Sequence, residues 1–363
     1  MRHWMSRRQS HASAVASSER RALWTVALGL SLLALPALFA APASAAGKET
    51  RIVWSRIGRP GIGQQLVSAR PDGTHLRALT RPSRKTNDID ASISPDGRRI
   101  AFQRDLNSGE TSQIALMRAN GGNVHSLDLG CVDPCVADGT PTWTPAGDRI
   151  AFTPVLGPFD QVNDSASSAV LHTARINGSN VRRLSQPGID GKLEDYRVRF
   201  SPDGGYLVFT RVRNADLHIA LFRMDADGSH LRRLTPCRLD ADVADLSLAT
   251  KGPTKGLVAF ETYGMGPPHG KSQNVATVPS TCAPVSKCRK QIRYVTHHRD
   301  GKVWSFNPSW SPNGRRIAYT RFVRHPCCAG DIWTSRPDGS HRRAVSKSPL
   351  FEYRPDWGPA PTR

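Results

Sequence analysis

The chain has 363 residues, a formal net charge of +20 and a hydrophobic fraction of 38%. After the first 45 residues no apolar run is long enough to cross a bilayer, which excludes a protein with several membrane spans. The positive charge favours anionic partners, but Arg and Lys are spread along the chain. That distribution is more typical of a solvated surface than of a nucleic-acid site, and no nucleic-acid partner is predicted.

The N-terminal segment has the pattern of an export signal. Five arginines form a basic region, an apolar stretch runs from Ala22 to Ala41, and Ala43-Ser44-Ala45 provides a small-residue cleavage site. We therefore predict a signal peptide over residues 1–45 and an exported mature chain over 46–363, located outside the cell or in the cell envelope. An uncleaved N-terminal membrane anchor is the alternative.

A short strand at residues 51–55 comes next and leads directly into a hairpin. In this hairpin two runs of alternating apolar residues flank an Asp-Gly turn, the usual chemistry of a tight β-turn. Similar hairpins recur along the chain, the one at 275–295 being longer than the rest. The six hairpins lie at 66–80, 114–128, 170–185, 219–235, 275–295 and 332–346.

A second landmark alternates with the hairpins. It consists of an apolar or aromatic residue, a Pro-Asp-Gly-like turn and a strand that ends on an aromatic residue. The clear copies are ISPDGRRIAF at 93–102, WTPAGDRIAF at 143–152, FSPDGGYLVF at 200–209 and WSPNGRRIAY at 310–319. A degenerate copy at 248–260 and a truncated one at 355–359 make six. The equivalent first positions are Ile93, Trp143, Phe200, Leu248, Trp310 and Trp357.

A repeat of roughly 50 residues predicts a propeller or a solenoid. The last unit stops after its first strand, and the strand at 51–55 would complete that blade and leave no open sheet edge. The predicted fold is therefore all-β: a six-bladed β-propeller of four-stranded antiparallel blades, closed by an N-terminal strand that completes the last blade.

These phrases resemble the WD-like β-propeller repeat of the TolB-type family, whose blades carry a similar Trp-Ser-Pro-Asp-Gly-x-x-Ile-x-Phe phrase. The resemblance covers essentially residues 46–363. It implies a fold rather than an activity, because similar repeats build the TolB scaffold, peptidase propellers and some polysaccharide lyases. It also implies a protein-binding module that uses its channel face. Two departures are the missing Asp-Gly turn in the fourth blade and the absence of a recognisable helical N-terminal domain.

The first strand of each blade is expected to line a central channel. Residues one, three and five positions before each repeat landmark share one strand face, since side chains alternate along a strand. The candidate ligand-binding residues at the channel mouth are Asp88, Asp90, Asp138, Asp195, Arg197, Asp245, Asn307, Glu352 and Arg354. The carboxylates could receive a basic or N-terminal peptide, or a calcium ion. The alternative is that they cap loops or pair with Arg197, Arg199 and Arg354.

Histidines are expected in loops at the same face. Imidazole binds zinc or copper, so His297, His298 and His325 are candidate metal ligands, with His269 also nearby. Solvent-exposed loop histidines are the simpler interpretation, and no metal is predicted.

Seven cysteines in an exported chain predict disulfides. Cys282 and Cys288 share the elongated hairpin, and Cys131 and Cys135 flank a small loop, so these two pairs are favoured. Of the other three, Cys237, Cys327 and Cys328, one must stay unpaired within the chain.

No nucleophile elbow, His-Glu-x-x-His sequence or phosphate-binding loop occurs in the chain. The predicted protein is therefore a monomeric, non-enzymatic scaffold without cofactor that binds a protein or peptide at its channel face. One alternative is a metal-assisted lyase or hydrolase that acts on an anionic extracellular polysaccharide. The other is a protein held electrostatically on an anionic cell-wall polymer.

Overall fold

A computed structural model describes residues 50–58, 62–107, 111–131, 135–156, 168–186, 193–213, 218–263, 272–324 and 329–361. The predicted signal peptide lies outside these residues, as do His269, His325, Cys327 and Cys328. No helix among the described residues is both long and apolar enough to cross a membrane.

The chain folds into successive antiparallel meanders of short strands. In chain order they are β1 Thr50–Arg56, β2 Gln65–Ala69, β3 Arg77–Ala78, β4 Asn87–Ile93, β5 Arg99–Leu106, β6 Thr111–Arg118, β7 His125–Ser126, β8 Cys135–Trp143, β9 Arg149–Leu156, β10 Ser168–Ala169, β11 His172–Arg175, β12 Arg182–Arg183 and β13 Leu193–Phe200. They continue as β14 Tyr206–Arg213, β15 His218–Asp225, β16 Arg232–Arg233, β17 Ala241–Leu246, β18 Leu257–Thr262, β19 Asn274–Pro279, β20 Arg293–Tyr294, β21 Val303–Trp310, β22 Ile317–Val323, β23 Ala329–Ser335, β24 Arg343–Ala344 and β25 Glu352–Pro359. A 3₁₀ turn at Cys237–Leu239 and the short helix α1 at Val285–Gln291 interrupt the strands.

Hydrogen bonding groups these strands into four sheets. Three sheets have four strands each, in the orders β25-β1-β2-β3, β17-β18-β19-β20 and β21-β22-β23-β24. The fourth sheet has 13 strands and contains the meanders β4–β7, β8–β12 and β13–β16. Two single-residue parallel bridges join these meanders, Ser112 with Ala137 and Ala169 with Glu194.

The all-β propeller of four-stranded antiparallel sheets is thus confirmed. Six separate sheets are not observed: the sequence repeats predicted six, whereas hydrogen bonding gives four, because the two parallel bridges merge three meanders into one sheet.

The N-terminal strand pairs with the last one. Strand β1 lies antiparallel to β25 from Thr50 opposite Pro359 to Arg56 opposite Glu352. The amide of Ile57 extends the contact by donating to the carbonyl of Phe351 at 2.9 Å.

The core lies between neighbouring meanders. The aromatic residue that ends each repeat phrase is almost completely buried; these residues are Phe102, Phe152, Phe209, Phe260 and Tyr319. Phe102 packs in one cluster with Val53 and Leu66 of the preceding sheet, and Phe152 packs with Ile114 of the preceding meander. The repeat residues therefore hold meanders together, as expected of scaffold residues.

The fourth repeat is aligned two residues away from the predicted position. The sequence phrase predicts Leu248 as the equivalent of Ile93, but β17 ends at Leu246, which is 2% exposed, whereas Leu248 is 46% exposed. The Pro-Asp-Gly turn is replaced here by a longer turn between Ser247 and Gly256, so counting from the degenerate phrase shifted the register.

Candidate functional site

Six residues with left-handed backbone surround the centre of the molecule. Each lies at a β-bulge where the first strand of a meander shifts register against the second. The six residues are Asp90, Thr140, Arg197, Val243, Asn307 and Arg354, with φ between 50° and 56°. All six line one central cavity, so the bulges direct the same position of each repeat into the channel.

The channel centre is nearly filled by an ionic cluster. Arg354 Nη1 lies 2.7 Å from Asp90 Oδ2, and Arg197 Nη1 lies 3.3 Å from Asp90 Oδ1. Burial raises the pKa of Asp90, but the charges of Arg354 and Arg197 outweigh it and hold the pKa below its usual value. The remaining cavity has a volume of about 30 Å³, which suits a water molecule rather than a threaded peptide.

Carboxylates at the entry end of the channel form the next layer, here called the channel mouth: Asp88, Asp138, Asp195 and Glu352. Three of the four pair with an arginine directly opposite on the second strand of the meander. Asp88 binds Arg104 through two hydrogen bonds of 2.7 and 3.0 Å. The equivalent pairs are Asp195 with Arg211 at 2.6 and 2.8 Å, and Glu352 with Arg56 at 2.6 Å. Arg197, Arg199 and Arg354, which the alternative interpretation of the sequence names as partners, pair instead with Asp90 and Asp245.

The fourth carboxylate, Asp138, has no such partner. The residue opposite it on β9 is Pro154, which carries no side-chain donor. Asp138 is only 3% exposed, and its Oδ1 has no hydrogen-bond partner among the described residues. Burial raises its pKa to about 7. Two residues further along the same strand face, Thr140 Oγ1 is also buried without a described partner.

Asp245 lies one layer beyond the channel centre, on the side away from the mouth, as the register shift of β17 requires. It accepts hydrogen bonds from Arg199 Nε at 2.8 Å and from the amide of Trp310 at 2.6 Å. Asp356 is in the same layer, 3.8 Å from Arg199 Nη2, and burial raises its pKa to about 6. The sequence placed Asp245 beside Asp90, Arg197, Asn307 and Arg354; the structure places Val243 there.

Sequence reasoning missed a set of buried contacts between neighbouring meanders. Glu261 Oε2 accepts hydrogen bonds from both the amide and the side chain of Asn307, at 2.7 and 3.0 Å. In the same way Gln103 Oε1 accepts the amide of Thr140 at 3.2 Å. Both residues directly follow the aromatic residue that ends a repeat phrase. A polar residue at this repeated position is the sequence feature that could have predicted these contacts.

The histidine candidates do not assemble with each other in the described residues. His298 Nε2 lies 3.0 Å from Ser305 Oγ, and burial together with the charges of Arg321 and Arg342 lowers its pKa to about 4. His297 instead packs against the ring of Tyr294. Within the described part of the chain, one group of three metal-type side chains is close enough for an ion: Cys131, Cys135 and Asp138. Its two sulfurs are bonded to each other, so thiolate ligands are absent.

Two disulfides confirm the favoured pairings, Cys131 with Cys135 and Cys282 with Cys288. Cys237 is a free thiol. The first disulfide lies beside Asp138, at the start of β8.

Comparison with known proteins concerns the fold. No protein-family model matches the chain, and no curated protein matches it. Among solved structures, TolB from Acinetobacter baumannii superposes with a TM-score of 0.62 at 20% identity over 85% of this chain and 66% of that one. A putative TolB from Agrobacterium tumefaciens gives 0.57 at 14% identity over 87% of this chain and 100% of that one.

The chain has a TolB-like β-propeller fold. The hydrazine synthase of Kuenenia stuttgartiensis also superposes, with a TM-score of 0.63 at 12% identity over 87% of this chain and 47% of that one. This chain thus spans about two thirds of the A. baumannii chain and about half of the hydrazine synthase chain. Since a TolB-like propeller also occurs in a protein named as an enzyme, function must be argued from the site.

Proposed function

We propose that this chain is an exported, non-enzymatic, six-bladed propeller scaffold that binds a protein or peptide at its channel mouth, where a cationic group of the partner pairs with Asp138. Six equivalent bulge residues around one cavity support six blades, and the pairing of β1 with β25 supports closure of the ring. The leader pattern at 1–45 and two disulfides support export to an oxidising compartment.

The observation that carries this proposal is the missing arginine of the second repeat. At three equivalent positions the carboxylate has a guanidinium opposite it, whereas Asp138 faces Pro154. A buried carboxylate without a partner is costly, and an incoming cation recovers part of that cost. An Arg or Lys side chain, or a peptide N-terminus, has the required donors.

The channel centre limits how the partner binds. Asp90, Arg197 and Arg354 pair with one another and leave space only for water, so the partner lies across the mouth rather than through the channel. A partner cation needs Asp138 ionised, so binding strengthens as the pH rises through about 7.

A displayed library of random peptides tests the proposal. Peptides selected on the wild-type protein should be enriched in Arg, Lys or a free N-terminus, and should bind Asp138→Asn at least about tenfold more weakly, the scale of one charge-assisted hydrogen bond. The matched control is Asp227→Asn, which removes an exposed turn carboxylate. Equal binding to wild type and Asp138→Asn would refute the assignment.

Metal analysis separates this function from the alternative of a metal-assisted lyase or hydrolase. A scaffold that binds through Asp138 needs no metal, so peptide binding should survive dialysis against a chelator. Stoichiometric metal in the purified protein, together with loss of binding after chelation, would favour the enzyme.

A further inference from the structure

A second and larger cleft lies at the opposite ends of the strands from the channel mouth. Strand β25 begins at the mouth with Glu352 and reaches this cleft at Trp357; Thr50, which pairs with Pro359 at the far end, also lines it. Arg316 just before β22, Thr334 of β23 and residues 341–343 at the start of β24 also line the cleft. The cleft has a volume of about 750 Å³, within the range of small-molecule sites.

The lining of this cleft, here called the basic cleft, is strongly cationic. It contains Arg70, Arg316, Arg342 and Arg343, with Asp72 as its single carboxylate. Burial and the charges of Arg343 and Arg336 lower the pKa of Arg316, which shows that the guanidinium groups repel one another.

The guanidinium of Arg316 is held in place. Its Nη2 donates to Thr334 Oγ1 and to the carbonyl of His341, both at 2.8 Å. Arg342 is anchored through Nε to the carbonyl of Gly339 at 2.9 Å. Hydrogen bonds that fix a cation in advance reduce the entropy lost on binding an anion.

We propose that the basic cleft binds an oligomeric anion through its phosphate groups. This site lies beyond the proposed function, since it shares no residue with the channel mouth. Arginines that approach from different elements suit a tetrahedral phosphate, because the guanidinium donors not used by Thr334, His341 and Gly339 can reach its oxygens from several directions. A cleft of this size holds several linked phosphates rather than one.

The second repeat offers a matched control. Arg149 Nη2 donates to Thr173 Oγ1 at 3.0 Å and to the carbonyl of Asn180 at 2.7 Å, the same two bonds that Arg316 makes. Arg182 corresponds to Arg343 on the short fourth strand. The double variants Arg316→Gln/Arg343→Gln and Arg149→Gln/Arg182→Gln therefore remove equal charge from equivalent positions.

The test is calorimetric titration of the full mature protein with inorganic tripolyphosphate at fixed ionic strength. The cleft variant should bind about tenfold or more weakly than wild type, while the control variant changes by less than about threefold. Arg343→Gln alone removes an exposed side chain and should also weaken binding, and Asp72→Asn should strengthen it.

Three results would overturn the proposal. One is the absence of saturable binding to the wild type. Another is an equal loss in the two double variants, which would indicate attraction by the dispersed charge. The third is tighter binding of a polycarboxylate of the same charge and length.

Discussion

At the scale of single residues, Asp138 differs from the other carboxylates of the channel mouth by one neighbour. Asp88 has Arg104 opposite it and Asp195 has Arg211, so each charge is paired across the strands. Asp138 has Pro154 there and is buried without compensation. Pro154, which stands where the equivalent repeats have an arginine, therefore leaves Asp138 as a source of instability, and under the proposed function it also leaves the carboxylate for a partner cation.

The effect of Asp138 on the free energy of unfolding depends on pH, and the direction follows from its raised pKa. Its pKa in the folded chain is about 7, above its usual value, so the folded state favours the protonated form. The stability that the folded state gains from the protonated carboxyl is complete below the unfolded pKa of about 4, and it is lost as the pH rises through about 7. Asp138→Asn, which stays neutral, should be more stable than wild type at pH 8, by on the order of 1–3 kcal/mol.

Urea unfolding at pH 4, 6 and 8 measures this difference. The advantage of Asp138→Asn should shrink toward pH 4, where the wild-type carboxyl is also protonated. Asp227→Asn provides the exposed control: a hydrogen bond from Ser229 lowers the pKa of Asp227, so this variant should show no stability advantage at pH 8. An Asn variant less stable than wild type at pH 8 would contradict the raised pKa.

At the scale of elements, the repeat phrases predicted strands, hairpins and core residues, but not the bulges. Left-handed backbone at Asp90 or Asn307 is compatible with their residue types, whereas nothing in the local sequence signals it at Val243. The bulge depends on packing around the channel and on hydrogen bonds such as that from Asn307 to Glu261. For this reason the channel face could be predicted from period-two alternation, while the pairing of its charges could not.

The corrected register of β17 can be checked by a pair of truncations. Leu246→Ala removes a side chain buried between β17 and its neighbours and should cost about 2–5 kcal/mol of unfolding free energy. Leu248→Ala alters an exposed turn residue and should cost less than about 0.5 kcal/mol. Chemical denaturation of both variants distinguishes this register from the one predicted from the sequence. In the predicted register Leu248 is the buried residue, so its truncation would cost more unfolding free energy than that of Leu246.

At the scale of the whole molecule, the pairing of β1 with β25 joins the two ends of the described chain. Trp54 of β1 is completely buried and shares a hydrophobic cluster with Trp357 of β25 and Ile332 of β23. Strand β1 therefore also links its own sheet, β25-β1-β2-β3, to the neighbouring sheet β21-β22-β23-β24. Because β1 and β25 lie at the two ends of the described chain, the sheet that contains both can form only after most of the chain is available.

Removal of β1 should therefore destabilise the whole propeller rather than one end of it. A chain that starts at residue 58 lacks β1 and exposes the edges of β2 and β25, and exposed edges promote association between chains. We expect this chain to unfold at a lower temperature and to aggregate in comparison with a chain that starts at residue 50. Thermal unfolding and light scattering of the two chains provide the measurement. Equal melting temperatures and equal scattering would mean that the contact between β1 and β25 contributes little, and would count against the proposed closure of the ring.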